Sequence, residues 1–261
     1  MAISRAQLVK ELEPGLNALF GLEYKRYENQ HAEIYTTESS DRAFEEEVML
    51  SGFANAQVKV EGSGVSFDDA QETYTARYTH DTIALAFAIT EEAIEDNLYD
   101  RIASRYTKAL ARSMSNAKQV KAVTPLNNGL SSVATFNSGD GVSLFSTNHT
   151  TVSGTAVKNT LTTQADLNET SLEQALIDIA GMTDERGLRV AARGTKMIIP
   201  SANQFNAERL TKSQGRTGTA DNDINASVSM GMIPQGYRVN NYLTDTDSWY
   251  IITDVPNGMK M

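Results

Sequence analysis

Two stretches between Ala54 and Val123 are longer than a compact body of this chain length can bury. In the first, Val58, Val60 and Phe67, and then Tyr74, Ala76 and Tyr78, alternate with polar residues at the strand period of two. Glu61-Gly62-Ser63-Gly64 and Asp68-Asp69 supply turn chemistry between them. The pattern predicts a β-hairpin over about Ala54 to His80, its second arm running on through Ile83, Leu85, Phe87 and Ile89. A two-stranded ribbon alone in water is marginal at best, so this one needs a surface to lie on. The second stretch predicts one helix from about Glu91 to Val120, with Thr90 as N-cap and Glu91 and Glu92 in the first turn. Roughly 30 residues at about 1.5 Å each make ~45 Å of helix. A globule of this length has a radius of gyration of about 18 Å, hence a diameter near ~45 Å. The helix would run the full width of the body and the hairpin would project from it. Such a chain is expected to be flat and to finish its packing on neighbours, as an assembly subunit does.

Ile94, Leu98, Ile102, Tyr106, Leu110 and Met114 recur every fourth residue, a stripe that creeps around the helix by about 40° per step. Acids come early (Glu95, Asp96, Asp100) and bases late (Lys108, Arg112, Lys118, Lys121), which suits the macrodipole. A basic end facing nucleic acid is the alternative reading. Pro125, Asn127, Asn128 and Gly129 end the element. Upstream, Leu8, Val9, Leu12, Leu16, Leu19 and Phe20 give Arg5 to Phe20 a helical period that Pro14-Gly15 interrupts, so one broken helix or two short ones are expected. Residues from Glu28 to Glu47 are polar and irregular, and Glu45-Glu46-Glu47 reads as a solvated face of an arm.

Downstream, Asn137 to Thr163 reads as a long loop with short strands. Ser171 to Arg186 is an amphipathic helix with Gly187 as its stop. Lys196 to Ile199 is a buried strand closed by Pro200, and Ala202 to Leu210 is helical. Ser213 to Asn225 is polar and nearly devoid of apolar residues, a mobile loop. Tyr237 to Val239 and Trp249 to Ile252 read as strands.

Composition narrows the function. Of 261 residues, 40% are hydrophobic, enough for a core, and none is cysteine, which removes thiol nucleophiles and thiolate metal sites. No apolar run reaches membrane-span length, and the N-terminus is amphipathic, unlike a signal sequence, so the chain is expected to be made in the cytoplasm. A net charge of −10 argues against a dedicated nucleic-acid binder. His31, His80 and His149 are scattered, and no nucleophile elbow or dinucleotide fingerprint is present. Asp221-Asn222-Asp223-Ile224-Asn225 starts like a calcium loop but has Ala226 where glycine is needed and Met232 where glutamate is. The expectation is no enzyme, no cofactor and no metal.

Nine stretches and the single residue Asn159, in order, resemble the major capsid proteins of tailed bacteriophages, the Mu-like major head subunits in particular. They include Leu16-Asn17-Ala18-Leu19-Phe20, Phe87 to Glu92 with Glu95 to Tyr99, and Asp140-Gly141 with Leu144 to His149. Asn159, Ser171-Leu172-Glu173, Asp184 to Gly187 and Ile198-Ile199-Pro200 follow. Ala207 to Leu210, Ala220 to Asn225, and Tyr242 to Asp245 with Trp249 complete the series. The resemblance implies the α+β Hong Kong 97-type capsid fold. Its parts would be an N-terminal arm (1–47), an extended hairpin loop (48–85), a peripheral domain with the spine helix (86–130), an axial domain (131–250) and a strand returning to the peripheral domain (251–261).

It further implies hexamers and pentamers of an icosahedral shell around double-stranded DNA, assembled in the bacterial cytoplasm and found in the virion. An encapsulin-like compartment is the alternative. Contacts between subunits would come from Lys59, Glu61, Phe67, Asp68, Asp69 and Tyr74 of the hairpin loop. In the axial loop they would come from Arg216, Asp221, Asp223 and Asn225. Lys59 reads as a solvated strand lysine and not as a cross-linking one, since nothing marks an acidic catalyst and an asparagine partner for it. Expected partners are further copies of the chain, a portal, a separate scaffolding protein and packaged DNA held non-specifically, with no membrane. The family usually carries a further tail beyond the position of Met261.

Overall fold

A computed structural model describes residues 5–88, 99–133, 137–216, 223–256 and 258–261, with backbone alone for 5–14 and 99–102. The chain divides into two compact units, Met1–His31 with Asp81–Ala122, and Ala32–His80 with Val123–Met261. In the first unit, α1 (Arg5–Arg26) runs unbroken through Pro14-Gly15 and on past Phe20 to Arg26, correcting the expected break. A proline deletes one hydrogen bond and crowds one carbonyl, at a cost of about 3 kcal/mol, which weakens a helix without obliging it to stop. Lys25 and Arg26 in its last turn complement the dipole.

α2 (Tyr99–Asn127) is the long helix. Thr90, Glu91 and the predicted start lie outside the described residues. At the other end it passes Val120 and takes Pro125 into its last turn, so Lys118 and Lys121 sit before the end and no basic residue occupies the last turn. The dipole argument for those two lysines therefore fails. The buried stripe also differs. Ala103, Thr107, Ala111, Ser115 and Gln119 are buried, while Tyr106 is 56% exposed. Counting large apolar side chains missed a stripe of mostly small residues, which permits close approach. Within this unit Gln119 accepts from the His31 backbone N–H at 3.1 Å and donates to the Glu28 carbonyl at 3.3 Å. Those bonds satisfy an amide that is 1% exposed.

In the second unit, β1 (Phe44–Leu50) pairs antiparallel with β2 (Glu72–Thr79), from Phe44 opposite Thr79 to Leu50 opposite Glu72. The returning strand matches the expectation and the outgoing one does not. Glu45 to Glu47, read as an irregular acidic run, are in β1, whereas Val58 and Val60 belong to no strand. Arg77 explains how the glutamates are tolerated. It pairs with Glu46 opposite it (Nε–Oε1 2.7 Å) and stacks 4.5 Å from the Phe44 ring centre. Short strands β3 (His149–Thr150) and β4 (Ala156–Val157) pair within the predicted long loop.

The core is built on β5 (Gly194–Ile199), flanked by β6 (Tyr237–Val239) in parallel and β7 (Tyr250–Thr253) in antiparallel pairing. The period of two sends Met197 and Ile199 to one face. There they join Leu172 and Leu176 of α3 (Glu169–Ala180) and Ala207 and Leu210 of α4 (Gln204–Lys212). Ile198 points to the other face, onto Val123 and Leu126 of α2 and Leu243. α3 begins two residues before Ser171 and ends at Ala180, six residues short of Arg186. Gly181 caps it, and Gly187 (φ +82°) serves instead in the tight turn after Asp184. A capping box starts α3: Asn168 accepts from the Ser171 N–H at 2.9 Å, and the Ser171 hydroxyl accepts from the Asn168 N–H at 3.0 Å. Asn168→Ala should lower the unfolding free energy by about 0.5–2 kcal/mol in urea titration, with little change in native circular dichroism. β7, assigned above to the boundary of a separate returning strand, completes the same sheet as β5 and β6. The end of the chain pairs elsewhere: Thr36 N–H donates to the Met259 carbonyl and Met261 N–H to Thr36, both at 2.9 Å.

Candidate assembly surfaces

The ladder of β1 and β2 closes at Ser51, whose N–H donates to the Gln71 carbonyl at 2.9 Å while its hydroxyl accepts from the Gln71 N–H at 3.0 Å. Gly52 then turns the chain out in the left-handed region (φ +66°). Every residue from Gly52 to Ala70 is exposed. Val58 is 94% and Phe67 97% exposed, an arrangement a monomer rarely tolerates without a use for it. The tip is a turn at Glu61-Gly62, with the Ser63 hydroxyl donating to the Val60 carbonyl at 2.7 Å.

The loop is free along its length and fastened at its root. The Ala54 N–H donates to the Asp68 carboxylate at 2.7 Å, tying the two limbs together and holding that carboxyl below its ordinary range, with the Arg186 charge adding to the effect. Arg186 donates to the Asp69 carbonyl at 2.6 Å. Tyr74 lies so close over Gly139 that a Cβ there would sit 2.2 Å from its ring. Burial, and then the charges of Glu185 and Asp140, push the Tyr74 phenol up. Beneath it Asp140 bonds His149 Nδ1 at 2.7 Å. Burial raises the Asp140 carboxyl, but bonds from the Ser138 hydroxyl, His149 and the Val142 N–H outweigh it and leave the group below its usual range. Of the six predicted hairpin residues, Lys59, Glu61 and Phe67 thus stand clear, Asp68 and Asp69 bind the root, and Tyr74 packs inside its own chain.

The second predicted surface is described at its base. Gly215 bridges Ile224, the Arg216 N–H donates to the Asp223 carbonyl at 2.9 Å, and Asn225 to Gln214 at 3.0 Å. Asp221 lies outside the described residues. Arg216 Nε bonds Glu169 at 2.8 Å in the first turn of α3, so its charge is engaged within the chain. Asn225 is 4% exposed and caps α5 (Ala226–Ser229), its amide donating to the Leu210 carbonyl at 3.0 Å. It anchors the base of this loop, and Asp223 is an exposed acid there. Sequence reasoning missed Arg186, Glu169 and the Asp140–His149 pair. The Asp-Glu-Arg-Gly turn at 184–187 was visible as a motif, but its contact with a loop more than a hundred residues earlier was not. Among the described residues no group of three or more His, Asp or Glu side chains is arranged to hold a metal ion. No helix there is long and apolar enough to cross a membrane.

These features belong to a chain whose residues 73–260 match the family model described as phage capsid protein. The protein is a member of the phage capsid protein family. It is a structural protein of the virion and not an enzyme. No curated protein matches it. The capsid protein's fold is similar to that of a chain from the procapsid of bacteriophage JBD30, with a TM-score of 0.61 and 14% identity over 92% of this chain and 100% of that one. It is similar also to a chain from the JBD30 capsid decorated with minor capsid protein trimers, with a TM-score of 0.61 and 12% identity over 84% and 92% of the two chains. At such identity the likeness concerns the fold, a mixed arrangement of helices and sheet shared with phage capsid proteins.

Proposed function

We propose that this capsid protein is the major head subunit of a tailed phage of Mu-like type. It assembles in the host cytoplasm into hexamers and pentamers of an icosahedral shell that encloses double-stranded DNA. The observation that carries this is the loop over residues 52–70, exposed throughout, apolar at Val58, Val60 and Phe67, and fastened only at its root. In a Hong Kong 97-type reading this is the extended loop that lies on a neighbour. The long helix α2 is the spine of the peripheral domain, and the hairpin based at Gly215 and Ile224 is the axial loop. The division into arm, loop, peripheral and axial parts belongs to this reading, as do a portal and a scaffolding protein as partners. With a net charge of −10, contacts with DNA are few and independent of sequence. Negative-stain microscopy of the purified protein tests it. Closed icosahedral particles are expected, containing DNA when taken from infected cells. Tubes, rings or a monomer at all concentrations would overturn it, and shells packed with an enzyme would favour the compartment instead.

A further inference from the structure

The second unit holds a cleft of about 600 Å3 between α3, the loop before it and β7. That volume lies within the range of about 300–1,000 Å3 typical of binding clefts. Its floor is apolar, from Phe145, Leu161, Ile179 and Trp249, the indole fixed by a 3.0 Å bond to the Ala165 carbonyl. Its rim is acidic. Lys158 is paired with Asp178 at 2.7 Å, which leaves the exposed Asp166, Asp245 and Asp247 with no cation beside them among the described residues. An occupant must therefore be apolar on one side and cationic on the other.

The chain's own long loop carries one such segment. These residues belong to no strand in the free chain, but bound as an extended segment, whose successive side chains point to opposite faces, Val58 and Val60 would share one face and Lys59 would take the other. Val58 is 94% and Val60 69% exposed, so both are open to a partner. Seated in the cleft, the two valines would meet the floor. Lys59, on its flexible stem, would reach the rim carboxylates. The returning limb is excluded by charge, because Phe67 is followed by Asp68 and Asp69, which would face like charges. We propose that Val58-Lys59-Val60 of one copy docks in the Trp249 cleft of a second copy, with Lys59 paired to Asp245 and Asp247. The proposal rests on the shell reading and names the surface on which the loop lands.

Particles assembled from an equal mixture of 14N- and 15N-labelled chains and treated with a carbodiimide provide the test. The reagent joins an amine directly to a carboxylate it touches. Peptides linking Lys59 to Asp245 or Asp247 with one light and one heavy partner are expected. Links only within one isotope, or none, would overturn the docking. In parallel, Lys59→Glu should cut particle yield about tenfold or more, the effect of about 1.4 kcal/mol per contact. Adding Asp245→Lys and Asp247→Lys should restore the yield. Normal assembly by Lys59→Glu alone sinks the docking and leaves the shell reading standing. Failure of the wild-type protein to form shells sinks both.

Discussion

Replacing residues 54–68 by Asn-Gly should leave a folded subunit that no longer closes particles. Nothing between Gly52 and Ala70 is buried, so the excision opens no cavity and removes no core contact. The bonds that end the ribbon, between Ser51 and Gln71, and the Arg186 bond to the Asp69 carbonyl all lie outside the deleted segment. The bonds lost whole, Ala54 to Asp68, Gln57 to Asn55 and Ser63 to Val60, lose donor and acceptor together, and the Asp69 N–H that loses the Asp68 carboxylate belongs to an exposed residue that water can reach. Shortening the connection lowers the entropy of ordering it, a gain on the order of 1–2 kcal/mol given about 0.6 kcal/mol per doubling of loop length. Far-ultraviolet circular dichroism should be unchanged and the melting temperature equal or slightly higher. Electron microscopy should show open oligomers or free subunits. Normal icosahedral particles from this variant would mean that the loop is not the element joining copies.

Ile198→Ala has the largest expected effect on the subunit itself. Ile198 is 1% exposed in the central strand and fills the layer between the sheet and the end of α2, against Val123 and Leu126. The neighbouring elements are held by pairing on both sides of β5, so they cannot collapse into the space. Truncation should cost about 2–5 kcal/mol in urea unfolding. Phe205→Ala is the contrast. That ring is 74% exposed on α4, and its loss should stay within about 0.5 kcal/mol. A cost below about 1 kcal/mol at Ile198 would show that the layer is not packed as described.

What the sequence determined by itself was local. The apolar run from Lys196 to Ile199 forms a strand, the amphipathic period after Ser171 forms a helix as far as Ala180, and the helix after Pro200 appears, because periodicity and capping act within a few residues. That the apolar residues of the long loop, Val58, Val60 and Phe67, need a surface to lie on was equally plain. Tertiary structure alone decided which segment pairs with Glu72–Thr79. Phe44–Leu50 carries three glutamates and looked irregular, yet Arg77 on the facing strand pairs with Glu46 and stacks on the Phe44 ring. Val58 and Val60 had the better pattern but have no strand partner among the described residues. The same holds for the face of α2, where Ala103, Thr107 and Ala111 are buried in preference to Tyr106, and for α1, which continues across Pro14. In the candidate surfaces, Lys59 was legible as solvated. That Arg216 is held by Glu169, that Asn225 is buried and that Tyr74 rests on Gly139 were not. Pairing, burial and charge neutralisation are settled by residues tens or hundreds of positions away, and no local pattern records them.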